Sequence, residues 1–127
     1  MARPRAKELT ERELEVMHVF WRIGESTVTD IRDCMEEEGR DLAYTTVATL
    51  VRILTEKGAL EQTSEERPYL FNPARSFEEV SGNMLGDLIS RVFGGSREQL
   101  LVRLLEQRRL TDEERSVLEE ILRKEQS

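Results

Sequence analysis

Three short amphipathic stretches, each closed by a glycine, are followed at residues 59–72 by two brief extended runs around a charged turn. That order leaves few folds open. Thr10-Glu11-Arg12-Glu13 has the form of a capping box, in which a threonine caps the first turn and Glu13 reaches back. Leu9 and Leu14 stand where a hydrophobic staple would hold the entry, and Leu14, Val16, Met17, Phe20 and Trp21 follow at helical spacing up to Gly24. This predicts a first helix from Glu11 to Arg22. Ser26-Thr27-Val28 is long enough only for a scrap of strand. Thr29 is expected to cap a second helix through Ile31, Cys34 and Met35 to Glu36-Glu37-Glu38, closed by Gly39. Ala43-Tyr44 opens a third, with Val47, Leu50, Val51 and Leu54 inward and Gly58 just past its end, where a left-handed backbone costs glycine least. Ala59 to Thr63 and Tyr69 to Asn72 then read as two strands around Ser64–Arg67, and helix–helix–helix–hairpin is the winged-helix order.

Past Pro73-Ala74-Arg75, the best boundary by composition, every signal is helical. Ser76 with Glu79, Ser96 with Gln99 and Thr111 with Glu114 each open an amphipathic run, and Gly94-Gly95 separates the first two. The fold class expected is mainly α: a winged helix-turn-helix with a small β-hairpin wing over residues 1–75, and a three-helix dimerisation region over residues 76–127. So short a set of helices cannot build much private core, since domains under ~70–80 residues usually need a staple. Cys34, the single cysteine, has no disulfide partner and no CxxC spacing for zinc. A second copy of the chain is the natural cover for Leu85, Leu88, Ile89, Val92, Phe93, Leu101, Leu104, Leu105, Leu118 and Ile121.

Catalysis finds little to work with. His18, the only histidine, sits mid-helix between Met17 and Val19 with no matching nucleophile. Cys34 reads as a small hydrophobe on the apolar side of its helix, and Glu36-Glu37-Glu38 as a solvated helix end. Gly94-Gly95 follows no strand and is not a phosphate loop. The chain is expected to be neither an enzyme nor a cofactor or metal carrier. It has no apolar run near the ~18 residues of a membrane span, and Met1–Thr10 has no apolar core for export, so no membrane insertion and a cytoplasmic location are expected.

The third helix is better equipped. A helix that enters the DNA major groove docks one apolar face on its domain and shows short hydrogen-bonding side chains outward. Thr45, Thr46 and Thr49 offer hydroxyls and methyls, Arg52 offers a fork for guanine or phosphate, and Tyr44 stands at the helix start. Arg67 at the hairpin tip is placed for a phosphate or the minor groove, although Glu65 and Glu66 beside it repel the DNA backbone. Net charge argues the other way: residues 1–75 carry 11 Lys and Arg against 15 Asp and Glu. Phosphate binding answers to the field of one face, however, and acidic residues elsewhere keep a protein in solution. A winged-helix protein-interaction module that never touches DNA is the competing reading, favoured by the acidic balance.

The run Leu42-Ala43-Tyr44-Thr45-Thr46-Val47-Ala48-Thr49-Leu50, the Glu56-Lys57-Gly58 that ends the helix, and Leu9-Thr10 with Glu13-Leu14-Glu15-Val16-Met17 and Trp21 resemble the penicillinase-repressor family, the BlaI, MecI and CopY transcriptional regulators. Gly94-Gly95-Ser96 before a leucine-rich helix, and the Leu-Thr cap of the last helix, resemble that family's C-terminal half. The resemblance implies a homodimer that represses by binding a palindromic operator in double-stranded DNA through its third helix, and it carries that role onto Thr45, Thr46 and Thr49. At Arg52 the chain departs from the pattern, since the family's arginine falls one position later, at Ile53 here. It also implies a release signal. In β-lactam-responsive members a membrane sensor protease triggers cleavage at an Asn-Phe bond; Arg103-Leu104 occupies that place here. Copper-responsive members carry a cysteine-rich tail, and Arg123–Ser127 has no cysteine. The resemblance therefore names no inducer for this chain.

Overall fold

Thr10 opens the first helix as its sequence requires: its hydroxyl accepts from the Glu13 amide at 3.2 Å, and its own amide donates to the Glu13 carboxylate at 3.2 Å. The computed structural model describes residues 8–106 and 108–126. Within them α1 (Glu11–Ile23), α2 (Val28–Glu37) and α3 (Tyr44–Glu56) precede β1 (Leu60–Gln62) and β2 (Phe71–Pro73), and α4 (Phe77–Val92), α5 (Arg97–Glu106) and α6 (Asp112–Gln126) follow. The chain divides into two compact units, Met1–Met84 and Leu85–Ser127, with the division inside α4. None of the described helices is long and apolar enough to cross a membrane.

Helix α2 starts two residues earlier than the sequence suggests. Thr27, not Thr29, is its cap, because Asp30 falls three residues after Thr27 and closes a reciprocal pair at 3.0 and 3.1 Å. Both α2 and α3 end in a Schellman turn. After α3, the Gly58 amide donates to the Thr55 carbonyl and the Ala59 amide to the Leu54 carbonyl. Gly58 takes φ +80° there, which a side chain would resist. That reversal drops Ala59 and Leu60 straight into the core.

Strand β1 is shorter than expected at both ends, while β2 begins two residues later than expected and runs one residue further, to Pro73. Leu60 pairs with Pro73, Glu61 with Asn72 and Gln62 with Phe71, antiparallel. Tyr69 falls outside the ladder, and the Ser26 scrap of strand is real, exchanging two hydrogen bonds with Phe71 at 3.0 and 2.9 Å. Phe20, Met17, Ile31, Leu54, Leu60, Val16, Val47 and Val51 are fully buried at the meeting of α1, α2, α3 and the hairpin. Each contributes about 1.5–3 kcal/mol by leaving water. Trp21 ties the start of α4 to this unit: its indole N–H donates to the Arg75 carbonyl at 2.9 Å, and its ring meets Phe77 edge-on at 5.4 Å. Val80, one turn on, is buried.

One charge pair lies inside this unit. Glu13 is 4% exposed, and the Lys57 ammonium donates to its carboxylate at 2.6 Å and to the Glu8 carbonyl at 2.9 Å, joining the start of α1 to the end of α3. Burial alone would raise the Glu13 carboxyl, but the hydrogen bond from Lys57 and those with Thr10 outweigh it and hold it below the usual carboxylate range. A lowered folded pKa means stability that is present above the unfolded value and lost as pH falls through the folded one. Glu13→Gln is expected to cost about 2–3 kcal/mol at pH 7, because it leaves a half-sheltered ammonium unpaired. In thermal melts followed by circular dichroism the gap between the two proteins narrows below pH 4.5. A gap that stays constant down to pH 3 would show that the pair does not carry this stability.

Candidate nucleic-acid interface

Helix α3 has two faces because its apolar residues recur every three to four positions. Val47, Val51 and Leu54 are buried, while Thr45, Thr49, Arg52 and Glu56 form an exposed stripe at steps of three to four residues, with Tyr44 exposed at the helix start. Thr46 departs from expectation. At 100° per residue it lies in line with Leu50 and Ile53, and all three are half-buried on the flank of the helix. It is therefore not turned away from the core as Thr45 and Thr49 are.

The hydroxyl of Thr49 donates to the Thr45 carbonyl at 2.9 Å, which fixes its rotamer and leaves oxygen lone pairs and a methyl facing out. Arg52 is engaged along the helix: its guanidinium donates to the Glu56 carboxylate at 2.9 Å, with both side chains largely in solvent. Such an exposed pair contributes at most about 0.5 kcal/mol, so a stronger anion can take the arginine. Glu56 was not among the residues expected to matter, although its four-residue spacing from Arg52 was visible. Arg67 stands over the Tyr69 ring at 5.6 Å. Its guanidinium is held above its ordinary value first by a hydrogen bond with Tyr69 and further by Tyr44, so the wing loop and the start of α3 share one electrostatic environment. Glu65 and Glu66 are exposed at the tip.

Cys34 is not the buried hydrophobe that its spacing suggests. It packs on the core from one side and is half-buried, while the Arg22 guanidinium donates to its sulfur at 3.3 Å and its thiol donates to Glu38 at 3.6 Å. Arg22 and Glu38 also form an ion pair with each other. His18 is exposed and meets Trp21 edge-on at 5.4 Å. Among the described residues no cluster of His, Cys, Asp or Glu is arranged to hold a metal ion.

In the second unit none of the described residues is buried. Leu85, Leu88, Val92, Leu101, Leu104, Leu105, Leu118 and Ile121 are exposed, and Ile89 and Phe93 are half-buried. Val102, Val117 and Leu122 are exposed as well. Arg103 and Leu104 lie in α5, both exposed, with Arg103 paired to Glu106 at 2.9 Å.

Similarity to known proteins bears on both units. A family model described as penicillinase repressor matches residues 9–124. The transcriptional regulator BlaI of Mycobacterium tuberculosis is 32% identical over 90 residues, covering 70% of this chain and 64% of the relative, so the chain spans just under two thirds of that protein. The penicillinase repressor of Bacillus licheniformis is 24% identical over 117 residues, 91% of this chain and 89% of the relative. Among solved structures, the DNA-binding domain of the repressor BlaI superposes with a TM-score of 0.51 at 23% identity, over 59% of this chain and 90% of that one. That likeness establishes the winged-helix fold.

Proposed function

Because this chain belongs to the penicillinase-repressor family, we propose that it is a transcriptional repressor whose α3 enters the major groove of a palindromic operator as one half of a homodimer. The observation that carries the reading is the exposed stripe Thr45, Thr49 and Arg52, with Tyr44 exposed at the helix start, on a helix whose other face is locked into the core. Short side chains there let the backbone approach base edges, and Thr49 is already oriented by its own helix. Thr46, on the flank, is assigned to the phosphates beside the groove, and Arg67 at the wing to the backbone or minor groove. Relatives named as a transcriptional regulator and as a penicillinase repressor support the same reading.

The apolar faces of the second unit support dimerisation. Side chains such as Val92 at 65% and Leu104 at 61% exposure recur along three helices, the kind of apolar exposure that marks an interaction surface. Burying it against a second copy also brings two copies of α3 into one assembly, as a palindrome requires.

The test is selection of duplexes from a random pool by the full-length protein, followed by titration in rising salt. Recovery of an inverted repeat whose affinity falls with salt supports the reading. A pool that stays random, with no salt-dependent binding, supports the interaction-module reading instead. Glu56 offers a sharper check, since its carboxylate shares the stripe with Arg52. Glu56→Gln removes a repelling charge and releases the arginine, so operator affinity at low salt is expected to rise about threefold to tenfold, with the gain shrinking as salt screens it. Fluorescence anisotropy on a labelled duplex reads this directly. Unchanged or weaker binding would place the stripe away from DNA.

A further inference from the structure

An open groove of about 700 Å³ lies inside the N-terminal unit between α3 and the hairpin. Small-molecule sites usually measure ~300–1,000 Å³ and are mostly apolar with a few converging polar groups. This groove has that character. Val51 and Phe71, both buried, give it an apolar floor, and Tyr44 and Tyr69, both exposed, stand at its edge. Aromatic walls favour a planar ring, which they meet face-to-edge or offset.

The charge at the rim is uneven. Arg52 and Glu56 both line the groove and neutralise each other. Arg67 lines it too, over the Tyr69 ring, and makes no ion pair with a carboxylate among the described residues. Glu65 and Glu66, its neighbours at the tip, do not line the groove. The net surplus is one guanidinium beside an apolar, aromatic slot. A guanidinium pairs best with a planar two-oxygen anion, through two parallel hydrogen bonds. A duplex phosphate can reach that guanidinium from outside, but it has nothing with which to fill the apolar floor.

We propose that this groove is a ligand site for a small planar aromatic carboxylate, its ring over Val51 and Phe71 and its carboxylate on Arg67, and that filling it lowers affinity for duplex DNA. The second half rests on the DNA reading above, because Tyr44, Arg52 and Arg67 are shared by the groove and the assigned DNA face. A bound carboxylate occupies one of these cations and adds a negative charge where phosphates must approach. It would supply this chain with a direct release signal.

The experiment uses the full-length ¹⁵N-labelled protein titrated with sodium 2-naphthoate, and in parallel with 2-naphthylmethylammonium, which has the same ring system and the opposite charge. Naphthoate is expected to shift the amides of Val28, Val51, Tyr69 and Phe71 saturably, while the ammonium leaves them in place. Arg67→Gln, an exposed substitution that spares the fold, is expected to weaken naphthoate at least about tenfold, the loss of a hydrogen bond to a charged partner. Naphthoate at saturating concentration then displaces a labelled operator duplex from the wild-type protein. Equal binding of the ammonium, shifts confined to α5 and α6, or unchanged affinity in Arg67→Gln would each overturn the ligand site. A saturated protein that holds the duplex as tightly as before would overturn the coupling. If no duplex binds even without naphthoate while the groove shifts persist, the DNA reading fails and the ligand site stands.

Discussion

A chain carrying Thr45→Ala and Thr49→Ala together is expected to keep its fold and lose its preference for one DNA sequence. Both side chains are exposed, and alanine is the better helix former, so α3 gains rather than loses intrinsic stability. The Thr49 hydroxyl bonds only its own helix, at the Thr45 carbonyl, a bond that slightly bends a helix rather than supporting it. On the DNA side each lost base contact weakens specific binding by ~1–3 kcal/mol, roughly fivefold to more than a hundredfold per threonine. Non-specific binding, which depends on phosphates, is expected to change little. The discriminating measurement is therefore a ratio: affinity for the selected duplex over affinity for a scrambled one, at a single salt concentration. That ratio falls toward one in the double variant while its melting temperature is unchanged or higher. A ratio that survives would remove α3 from the role of reading helix. Thr46→Ala makes a poorer probe, because its half-buried position mixes loss of packing with loss of contact.

The parts of this protein that were legible in the sequence are those written by neighbours along the chain. The reciprocal caps at Thr10 with Glu13 and at Thr111 with Glu114 form as spaced, and Ser76 and Ser96 each accept from the amide three residues on. Local geometry decides these bonds, so three residues of context suffice. The same rule exposes the one cap that was misplaced. Thr27 and Thr29 are both good caps, and only the acidic residue three positions later, Asp30 for Thr27, chooses between them. The stripe on α3 was half legible. Spacing picked out Thr45, Thr49 and Arg52, but the 100° step that puts Thr46 beside Leu50 and Ile53 separates it from them. What the sequence hid is long-range. Lys57 meets Glu13 across 44 positions, Trp21 meets the Arg75 carbonyl across 54, and no local pattern announces either. The groove depends on how the hairpin folds back on α3, so it belongs to the same class.

A chain ending at Met84 is expected to be a folded monomer that has lost most operator affinity. The core of Val16, Phe20, Ile31, Val51, Leu60 and Phe71 lies wholly before that point, so folding survives the cut. Ending there rather than at Arg75 matters. Phe77 packs on Trp21 and Val80 is buried, and a cut at Arg75 would strip both from the unit. What the cut removes is the set of helices in which Leu88, Val92, Leu101, Leu105, Leu118 and Ile121 face solvent. At roughly 25 cal/mol per Å² of apolar area, covering these against a second copy, as proposed above, would release many kcal/mol, enough to hold a dimer at low concentration. The dimer makes the second half-site an intramolecular event, worth about a hundredfold to ten-thousandfold in apparent affinity. The truncated chain forfeits that factor while each half-site contact remains. Two measurements separate the causes. Sedimentation velocity at micromolar concentration is expected to give a dimer for the full chain and a monomer for the shorter one. Titration against a single half-site is expected to give the same affinity for both, because one copy of α3 suffices there. A full-length monomer would defeat the dimer. Equal affinity of the two chains for the whole palindrome would defeat the link between dimerisation and DNA binding.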